Sequence, residues 1–407
     1  MKTTFEEQND QLSGMAYKNM SVKKIIISYL ANKSSATIAD LCKEMNLSIP
    51  KVTTLISTLI KEGIVKDFGK VDSTGGRKPN VYGLIPDSGF FLGVDVKHSY
   101  INIGLIDLQK TTIKVTKRIP YQLSNDKEAF DELCKLIKEF IHDTSIPQQK
   151  ILGMGINLPG RINHATGHSN SFFNFYEVPV TVIIEKELGI KTIIENDSRA
   201  MAYGEFSAGV VMEEEEEDVL FLNLDYGIGM GIVLNKKLYY GKSGFSGELG
   251  HIPLLDNEII CQCGKKGCLE TVASGQGLIR MFKASVAAGY STTIENDKLA
   301  KLQVADIIHA ANNDDVLSIE LLAKMGETLG RGIATLINIF NPELVVLGGV
   351  LAETGELIQL PIKSALNKYS LSMMNNDTKI KLSKLGEEAG VIGSCLLIRN
   401  KLLAHSA

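Results

Sequence analysis

The chain has 407 residues, of which 44% are hydrophobic, so it is long enough to form two or three domains with their own cores. No apolar run reaches the roughly 18 residues that a membrane-spanning helix needs, and we expect a soluble, cytoplasmic protein without a membrane partner. The net charge of −4 is unevenly distributed, because residues 1–86 contain 12 basic and 8 acidic residues. Only this N-terminal part is suited to bind a polyanion.

Residues 1–86 show the pattern of three helices followed by a hairpin. Apolar residues recur at helical spacing, and Ser48 with Pro50 marks the start of the third helix. A glycine-rich, basic segment at 73–79 then separates two strand-like runs. This order predicts a winged helix-turn-helix, although an ordinary three-helix interaction module would show a similar pattern. The candidate DNA contacts are Ser48, Lys51, Thr53, Thr54, Thr58, Arg77 and Lys78.

From residue 90 onward, strands and helices alternate. Two buried-strand runs, at 91–95 and 220–225, each end in an aspartate and lead into a second strand. This repetition predicts a duplicated α/β body of the actin and hexokinase type, also called ribonuclease H-like. The predicted domains are a winged head at 1–86, a first body subdomain at 87–211 plus about 391–407, and a second body subdomain at 218–390.

The densest group of metal-binding side chains lies between Glu248 and Glu270. Three of the six cysteines fall within eight residues there, among glycines and lysines. Such a group is typical of a closed, structural Zn²⁺ site, one per chain, although buried thiols or a disulfide would also give clustered cysteines. The candidate ligands are His251, Cys261, Cys263 and Cys268. The metal would hold Glu248 and Glu270 beside each other and beside the second ring nitrogen of His251.

Polar residues also follow two predicted strands, at positions 160–161 and 196–197. Ligands of open α/β sheets bind beyond the carboxyl ends of strands, so we expect these residues to face one cleft. Carboxylates and amides together suit a polyhydroxylated ligand, because each sugar hydroxyl can both donate and accept. Alone, Asn196 and Asp197 would equally be a helix cap. The candidate sugar-binding residues are Gly160, Arg161, Asn196, Asp197, Glu248, His251 and Glu270.

These motifs together resemble the ROK family of repressors and sugar kinases, and specifically its repressor branch of the xylose-repressor and N-acetylglucosamine-repressor type. The resemblance is carried by Glu-x-Gly-His at 248–251, the cysteine segment at 261–270, Glu-Asn-Asp at 195–197 and the winged head. It spans about residues 20 to 400. It implies the sugar and zinc ligands named above. In kinase members, the aspartate that matches Asp197 is the general base.

Two departures from the kinase pattern favour a regulator over an enzyme. Where ROK kinases carry Asp-x-Gly-Gly-Thr, this chain reads Asp-Val-Lys-His-Ser from Asp95, so both glycines are replaced at Lys97 and His98. Where they carry Gly-Thr-Gly, it reads Asp225-Tyr-Gly227, which puts a carboxylate where phosphate oxygens would lie. We therefore expect no catalytic residues. The alternative is an ATP-dependent sugar kinase with an attached DNA-binding head.

The resemblance implies a transcriptional regulator, most simply a repressor, of carbohydrate-metabolism genes. A sugar or sugar phosphate in the body would change the affinity of the head for operator DNA by linkage. The protein would be a dimer or tetramer, so that two heads contact two half-sites. Control by a protein partner in place of a sugar is a further alternative.

Overall fold

The computed structural model describes residues 14–70, 79–213 and 216–403. The chain forms two compact units, one of Met1–Glu195 with Ser394–Ala407 and the other of Asn196–Gly393. Within the described ranges, no helix is both long enough and apolar enough to cross a membrane.

The first unit begins with a head of three helices and a small sheet. Its elements are helix α1 (Gly14–Lys33), strand β1 (Ser35–Thr37), helices α2 (Ile38–Met45) and α3 (Ile49–Lys61), and strands β2 (Val65–Lys70) and β3 (Asn80–Leu84). The sheet order is β1-β3-β2, and both pairings are antiparallel. Helix α2 starts at a capping box, because the Thr37 hydroxyl accepts from the Asp40 amide while the Asp40 carboxylate accepts from the Thr37 amide.

Helix α3 buries the face that its sequence spacing predicts, except for Ile60 at the end of that spacing, which is 39% exposed. Its four inward side chains are at most 3% exposed, and they are Val52, Leu55, Ile56 and Leu59. A tight turn at Asn46, with φ of 51°, joins α2 to α3, and the β2–β3 hairpin follows. The winged helix-turn-helix prediction is therefore confirmed.

The body of the first unit is a mixed five-stranded sheet of order β10-β7-β4-β5-β6. In chain order its elements are β4 (Phe90–Val96), β5 (Tyr100–Asp107), β6 (Thr112–Pro120), α4 (Lys127–Asp143), β7 (Ile151–Leu158), β8 (Ile162–Asn163), β9 (His168–Ser169), α5 (Val180–Leu188) and β10 (Thr192–Asn196). Every residue of β4 and β7 is buried, as their predominantly apolar runs predict, and this includes the polar residues Asp95 and Asn157 near their carboxyl ends.

A short joint connects the head to this body. Only residues 85–89 separate β3 from β4, and three of them form a single 3-10 turn. The ammonium group of Lys150 donates to the carbonyl of Asp87 at 2.9 Å. A side chain on Gly89 would come within 2.5 Å of Leu152, so the backbone of the joint lies directly against the body.

The second unit contains another five-stranded sheet, of order β13-β12-β11-β14-β15. In chain order its elements are α6 (Asp197–Ala208), β11 (Val219–Leu224), β12 (Ile228–Leu234), β13 (Lys237–Leu238), α7 (Glu270–Ala273), α8 (Gly275–Ala287), α9 (Asn296–Leu299), α10 (Val304–Ala311), α11 (Val316–Phe340), β14 (Leu344–Gly348), α12 (Glu356–Tyr369), α13 (Ser372–Asp377), β15 (Lys379–Leu382) and α14 (Ala389–Leu403). The last part of α14, from Ser394, belongs to the first unit.

The two sheets share one topology. In the first, β4 pairs antiparallel with β5 and parallel with β7, and in the second, β11 pairs antiparallel with β12 and parallel with β14. The repeated strand pattern of the sequence therefore corresponds to a structural duplication, and the predicted fold class is confirmed.

Candidate functional site

Four potential metal ligands converge in the segment between β13 and α8. One ligand atom from each lies within 4.8 Å of the others, and the residues are His251, Cys261, Cys263 and Cys268. Cys261 Sγ lies 3.4 Å from His251 Nδ1, and Cys263 Sγ lies 3.6 Å from Cys268 Sγ. Tetrahedral Zn²⁺, with bonds of about 2.1 Å to nitrogen and about 2.3 Å to sulfur, separates such atoms by roughly 3.6 to 3.8 Å. The donors and their spacing therefore fit zinc.

The backbone around the cysteines requires glycine. Gly264 and Gly267 have φ of +84° and +72°, in the region that L side chains rarely adopt. A side chain on Gly267 would also collide with the carbonyl of Leu255. These two residues let the chain turn back on itself, which brings Cys268 beside Cys263.

The thiols have different proton affinities in the metal-free chain. Burial raises the pKa of Cys261 and Cys268, whereas a backbone hydrogen bond from Lys265 is the main cause that lowers the pKa of Cys263. Zinc binds thiolates, so binding would release protons and would become stronger as the pH rises.

Two carboxylates approach opposite nitrogens of the His251 ring. Glu248 Oε2 lies 3.6 Å from Nε2, whereas Glu270 Oε1 lies 3.2 Å from Nδ1 and 2.8 Å from the sulfur of Cys261. The sequence predicts both carboxylates beside the second ring nitrogen, but Glu270 faces Nδ1 because it follows Cys268 by two residues and begins α7.

The hydrogen bonds of this cluster shift the protonation of its members. The bond to Glu270 raises the pKa of His251. Burial alone would raise the pKa of Glu270, but hydrogen bonds from His251 and Cys261 outweigh burial and lower it. In the absence of zinc on these atoms, Glu270 is thus held in its charged, accepting form beside the imidazole.

Asn196 and Asp197 lie where β10 ends and α6 begins. Asn196 Oδ1 accepts from the amide of Arg199 at 3.1 Å, so this residue is indeed a helix cap. Its amide nitrogen donates to Asp197 Oδ1 at 2.9 Å, and Asn223 Nδ2 donates to Asp197 Oδ2 at 3.3 Å. Sequence reasoning missed Asn223, because it stands inside the apolar run of β11 without another polar neighbour.

The remaining two sugar-site candidates belong to the first unit. Gly160 has φ of +86°, and Arg161, which is exposed, donates its backbone amide to Ser171 Oγ at 2.9 Å. This bond fixes the turn that follows β7. Their participation in one site with the residues of the second unit stays a prediction.

The two segments that depart from the kinase pattern carry internal contacts of their own. Asp95, 1% exposed at the end of β4, lies 3.3 Å from the ammonium group of Lys97. Asp225 Oδ1 accepts from the backbone amide of Tyr226 at 2.8 Å, and Tyr226 is 43% exposed. In both segments, side chains stand where a glycine-rich loop would leave its amides open to phosphate.

The outward face of α3 is polar. The hydroxyls of Thr53, Thr54 and Thr58 each donate to the carbonyl four residues earlier, at 2.8 to 2.9 Å. Their methyl groups and oxygen lone pairs are therefore what a partner would contact. Lys51 donates to the side chain of Asn19, and Ser48 precedes the helix without a side-chain cap bond. The candidates Arg77 and Lys78 lie outside the described residues.

Comparisons with known proteins match both parts of the chain. A model of the ROK family matches residues 91–401, and a model of winged helix-turn-helix DNA-binding domains matches residues 22–66. The xylose repressor of Bacillus subtilis (strain 168) is 30% identical over 387 residues, which cover 94% of this chain and 95% of that protein. A glucokinase of Thermotoga maritima is 28% identical over 320 residues, which cover 76% of this chain and 98% of the kinase.

A solved structure extends the similarity to three dimensions. A ROK family transcriptional regulator, described as a homologue of the Escherichia coli MLC protein, gives a TM-score of 0.77 at 26% identity and covers 94% of this chain and 97% of its own. Both this regulator and the xylose repressor match more of the chain than the glucokinase does. The duplicated sheets, the cysteine segment and the family match lead to one conclusion: the chain belongs to the ROK family.

Proposed function

We propose that this protein is a DNA-binding transcriptional repressor of carbohydrate-metabolism genes whose body binds a controlling sugar. The winged head carries the proposal. It folds as a helix-turn-helix with a polar outward face on α3, and a regulator and a repressor are similar to the chain over 94% of its length. The head is the part that contacts the operator. The predicted boundary between the two body subdomains, at residues 211–218, is also part of this proposal.

The proposed sugar site uses carboxylate, amide and imidazole groups. Its residues are Gly160, Arg161, Asn196, Asp197, Glu248, His251 and Glu270. In the second unit, Asp197 is an acceptor whose orientation is fixed by amide donors, and Glu248 lies beside the outer nitrogen of His251. Each sugar hydroxyl could donate to a carboxylate and accept from an imidazole or amide, which leaves no buried polar group unpaired.

We propose that His251, Cys261, Cys263 and Cys268 hold one structural Zn²⁺. Four protein ligands close the coordination shell, so the ion would supply a crosslink and no catalysis. Because His251 Nδ1 faces the cysteines, its Nε2 is directed to Glu248 and to a sugar. The metal would thereby fix the imidazole in one orientation and one tautomer.

We propose that the protein is not a kinase. The pair of Lys97 with buried Asp95 occupies space that a phosphate chain would need. The Asp225 carboxylate would also repel the negative charge of the phosphates. The body is also similar in sequence to a glucokinase, so an ATP-dependent sugar kinase is the alternative to be tested. We also propose that chains pair, so that two heads contact two operator half-sites.

The test measures DNA binding and sugar binding on the full chain. A labelled fragment of the upstream region of its own gene is titrated with protein, and fluorescence anisotropy is followed with and without D-xylose, the sugar suggested by the repressor relatives. We expect specific binding that D-xylose weakens. Absence of any preference over random DNA at moderate salt would refute the regulator.

A test variant and a control variant show whether the effect of D-xylose comes from the proposed sugar site. Glu248→Gln removes a charge from the site and should weaken D-xylose binding by about 1 to 3 kcal/mol while operator binding without sugar is kept. The matched control is Glu258→Gln, in the same segment but with an 86% exposed side chain, which should change neither. ADP release that depends on sugar and ATP would instead favour the kinase.

A further inference from the structure

We propose that Asn223, outside every site assigned above, is a positioning residue that orients the Asp197 carboxylate for the sugar. The inference rests on the proposed sugar-binding function. It concerns a different contact, however, and that contact can be tested without any sugar.

The position of Asn223 in the sheet brings its side chain to the helix that starts at Asp197. Asn223 is the penultimate residue of β11 and is 3% exposed. Its cross-strand partner on β12 is Gly229, where a side chain would collide with Ser198. The first turn of α6 therefore lies directly on the β11–β12 hairpin, within reach of the Asn223 side chain.

The contacts of Asn223 divide the donors between the two oxygens of Asp197. Nδ2 of Asn223 lies 3.3 Å from Asp197 Oδ2 and 3.1 Å from the hydroxyl oxygen of Ser198. The other carboxylate oxygen, Oδ1, accepts from Asn196 at 2.9 Å and from Ser198 at 3.3 Å. Both amide hydrogens of Asn223 thus have acceptors on α6, which fixes the direction in which the amide faces.

An amide suits this task better than a charged side chain. A lysine or arginine here would neutralise Asp197 and compete with the sugar hydroxyl for it, and an aspartate would repel it. The amide donates a hydrogen bond and adds no charge, so it orients the Asp197 side chain without placing a cation beside it.

On its other side, Asn223 faces a glycine that leaves room for its amide. Its Oδ1 has no hydrogen-bond partner among the described residues and lies beside Gly349, where a side chain would come within 2.7 Å of it. Gly348 of β14 is the sheet neighbour on this side. Asn223 therefore lies between the glycine at 349 and the start of α6.

The experiment is a double-mutant cycle with Asn223→Ala and Asp197→Asn on the full chain, read by calorimetric titration with D-xylose. We expect Asn223→Ala to weaken xylose binding about tenfold, the effect of losing a hydrogen bond to a charged group. In the Asp197→Asn background, the same change should have less than about a twofold effect, because the charged carboxylate that Asn223 orients is gone and the remaining amide oxygen is a weaker acceptor. Losses that multiply, or an unchanged affinity in Asn223→Ala, would overturn the inference.

Two further measurements separate positioning from a general structural role. Asn223→Asp keeps the size but places like charges together, so Asp197→Asn should restore much of the thermal stability that Asn223→Asp loses, and this rescue requires no sugar. Failure of the rescue counts against the inference. If the variants show the rescue but the wild-type protein binds no D-xylose, only the proposed xylose control is refuted. The matched control is Asn102→Ala, a 1% exposed asparagine of the first unit, which should leave xylose affinity unchanged.

Discussion

The start of α11 permits a stability prediction worked out from contacts. Asp315 is 2% exposed, and its carboxylate accepts from the amides of Ser318 at 2.8 Å and Thr293 at 2.6 Å, as well as from the hydroxyl of Thr292 at 2.9 Å. Burial alone would raise its pKa, but these hydrogen bonds, led by those from Ser318, outweigh burial and lower the pKa from 3.8 to about 2.

This shift determines both the sign and the size of the effect. Because the folded pKa of Asp315 lies below the unfolded one, the stabilisation is complete above about pH 4 and is lost as the pH falls through about 2. A difference of nearly two units corresponds to about 2 kcal/mol at neutral pH. We therefore expect Asp315→Asn to lower the free energy of unfolding of the second unit by about 2 kcal/mol at pH 7, and by about half of that at pH 3.

Urea unfolding followed by far-UV circular dichroism measures this difference. The control is Asp306→Asn, which alters another helix-capping aspartate of the same unit, where an exposed carboxylate accepts from the amide of Gln303 at 2.8 Å. Its loss should cost about 1 kcal/mol or less. A cost for Asp315→Asn that equals the control, or that is the same at pH 3 and pH 7, would refute the reasoning.

Three further predictions concern the site and the head. Purified protein should contain about one zinc per chain by elemental analysis, and Cys263→Ser should lose both the metal and thermal stability; full zinc content in this variant would contradict the proposed shell. Arg199, 4% exposed, donates to the carbonyl of Gly244 at 2.8 Å in the loop that leads to Glu248, so Arg199→Leu should weaken sugar binding about tenfold in calorimetry, and unchanged affinity would count against this role. Lys51→Ala should weaken binding to operator and random DNA alike, whereas Thr54→Ala should relax sequence preference; anisotropy on both DNAs distinguishes them, and equal losses in both variants would contradict the assignment.

The sequence predicts the elements well wherever one local pattern determines them. The apolar spacing of α3 and the predominantly apolar runs of β4 and β11 correspond to a helix and to two strands that are buried throughout. The group of potential metal ligands is also determined by local sequence, because three of the four lie within eight residues and glycines fix the turn between them. Such features depend on neighbours along the chain, which the sequence displays directly.

Contacts between distant segments are less accessible from the sequence. Glu270 approaches one particular ring nitrogen of His251 because of how α7 starts after the cysteine turn. The sequence spacing alone does not determine which nitrogen that is. Asn223 lies 26 residues from Asp197, and only the packing of α6 on the β11–β12 hairpin brings them together. The threonine hydroxyls of α3 bond to their own helix, a local competition that a polar pattern does not reveal.

The joint between head and body affects the entropy of DNA binding. A long flexible linker would let the head sample many orientations, and that freedom would be lost each time the head docked. Here the joint has only five residues, Lys150 donates to the carbonyl of Asp87, and Gly89 lies against Leu152. The orientation of the head on the body is therefore already restricted when the protein folds. We therefore expect a displacement of β4 to change the orientation of α3, while the head itself stays folded.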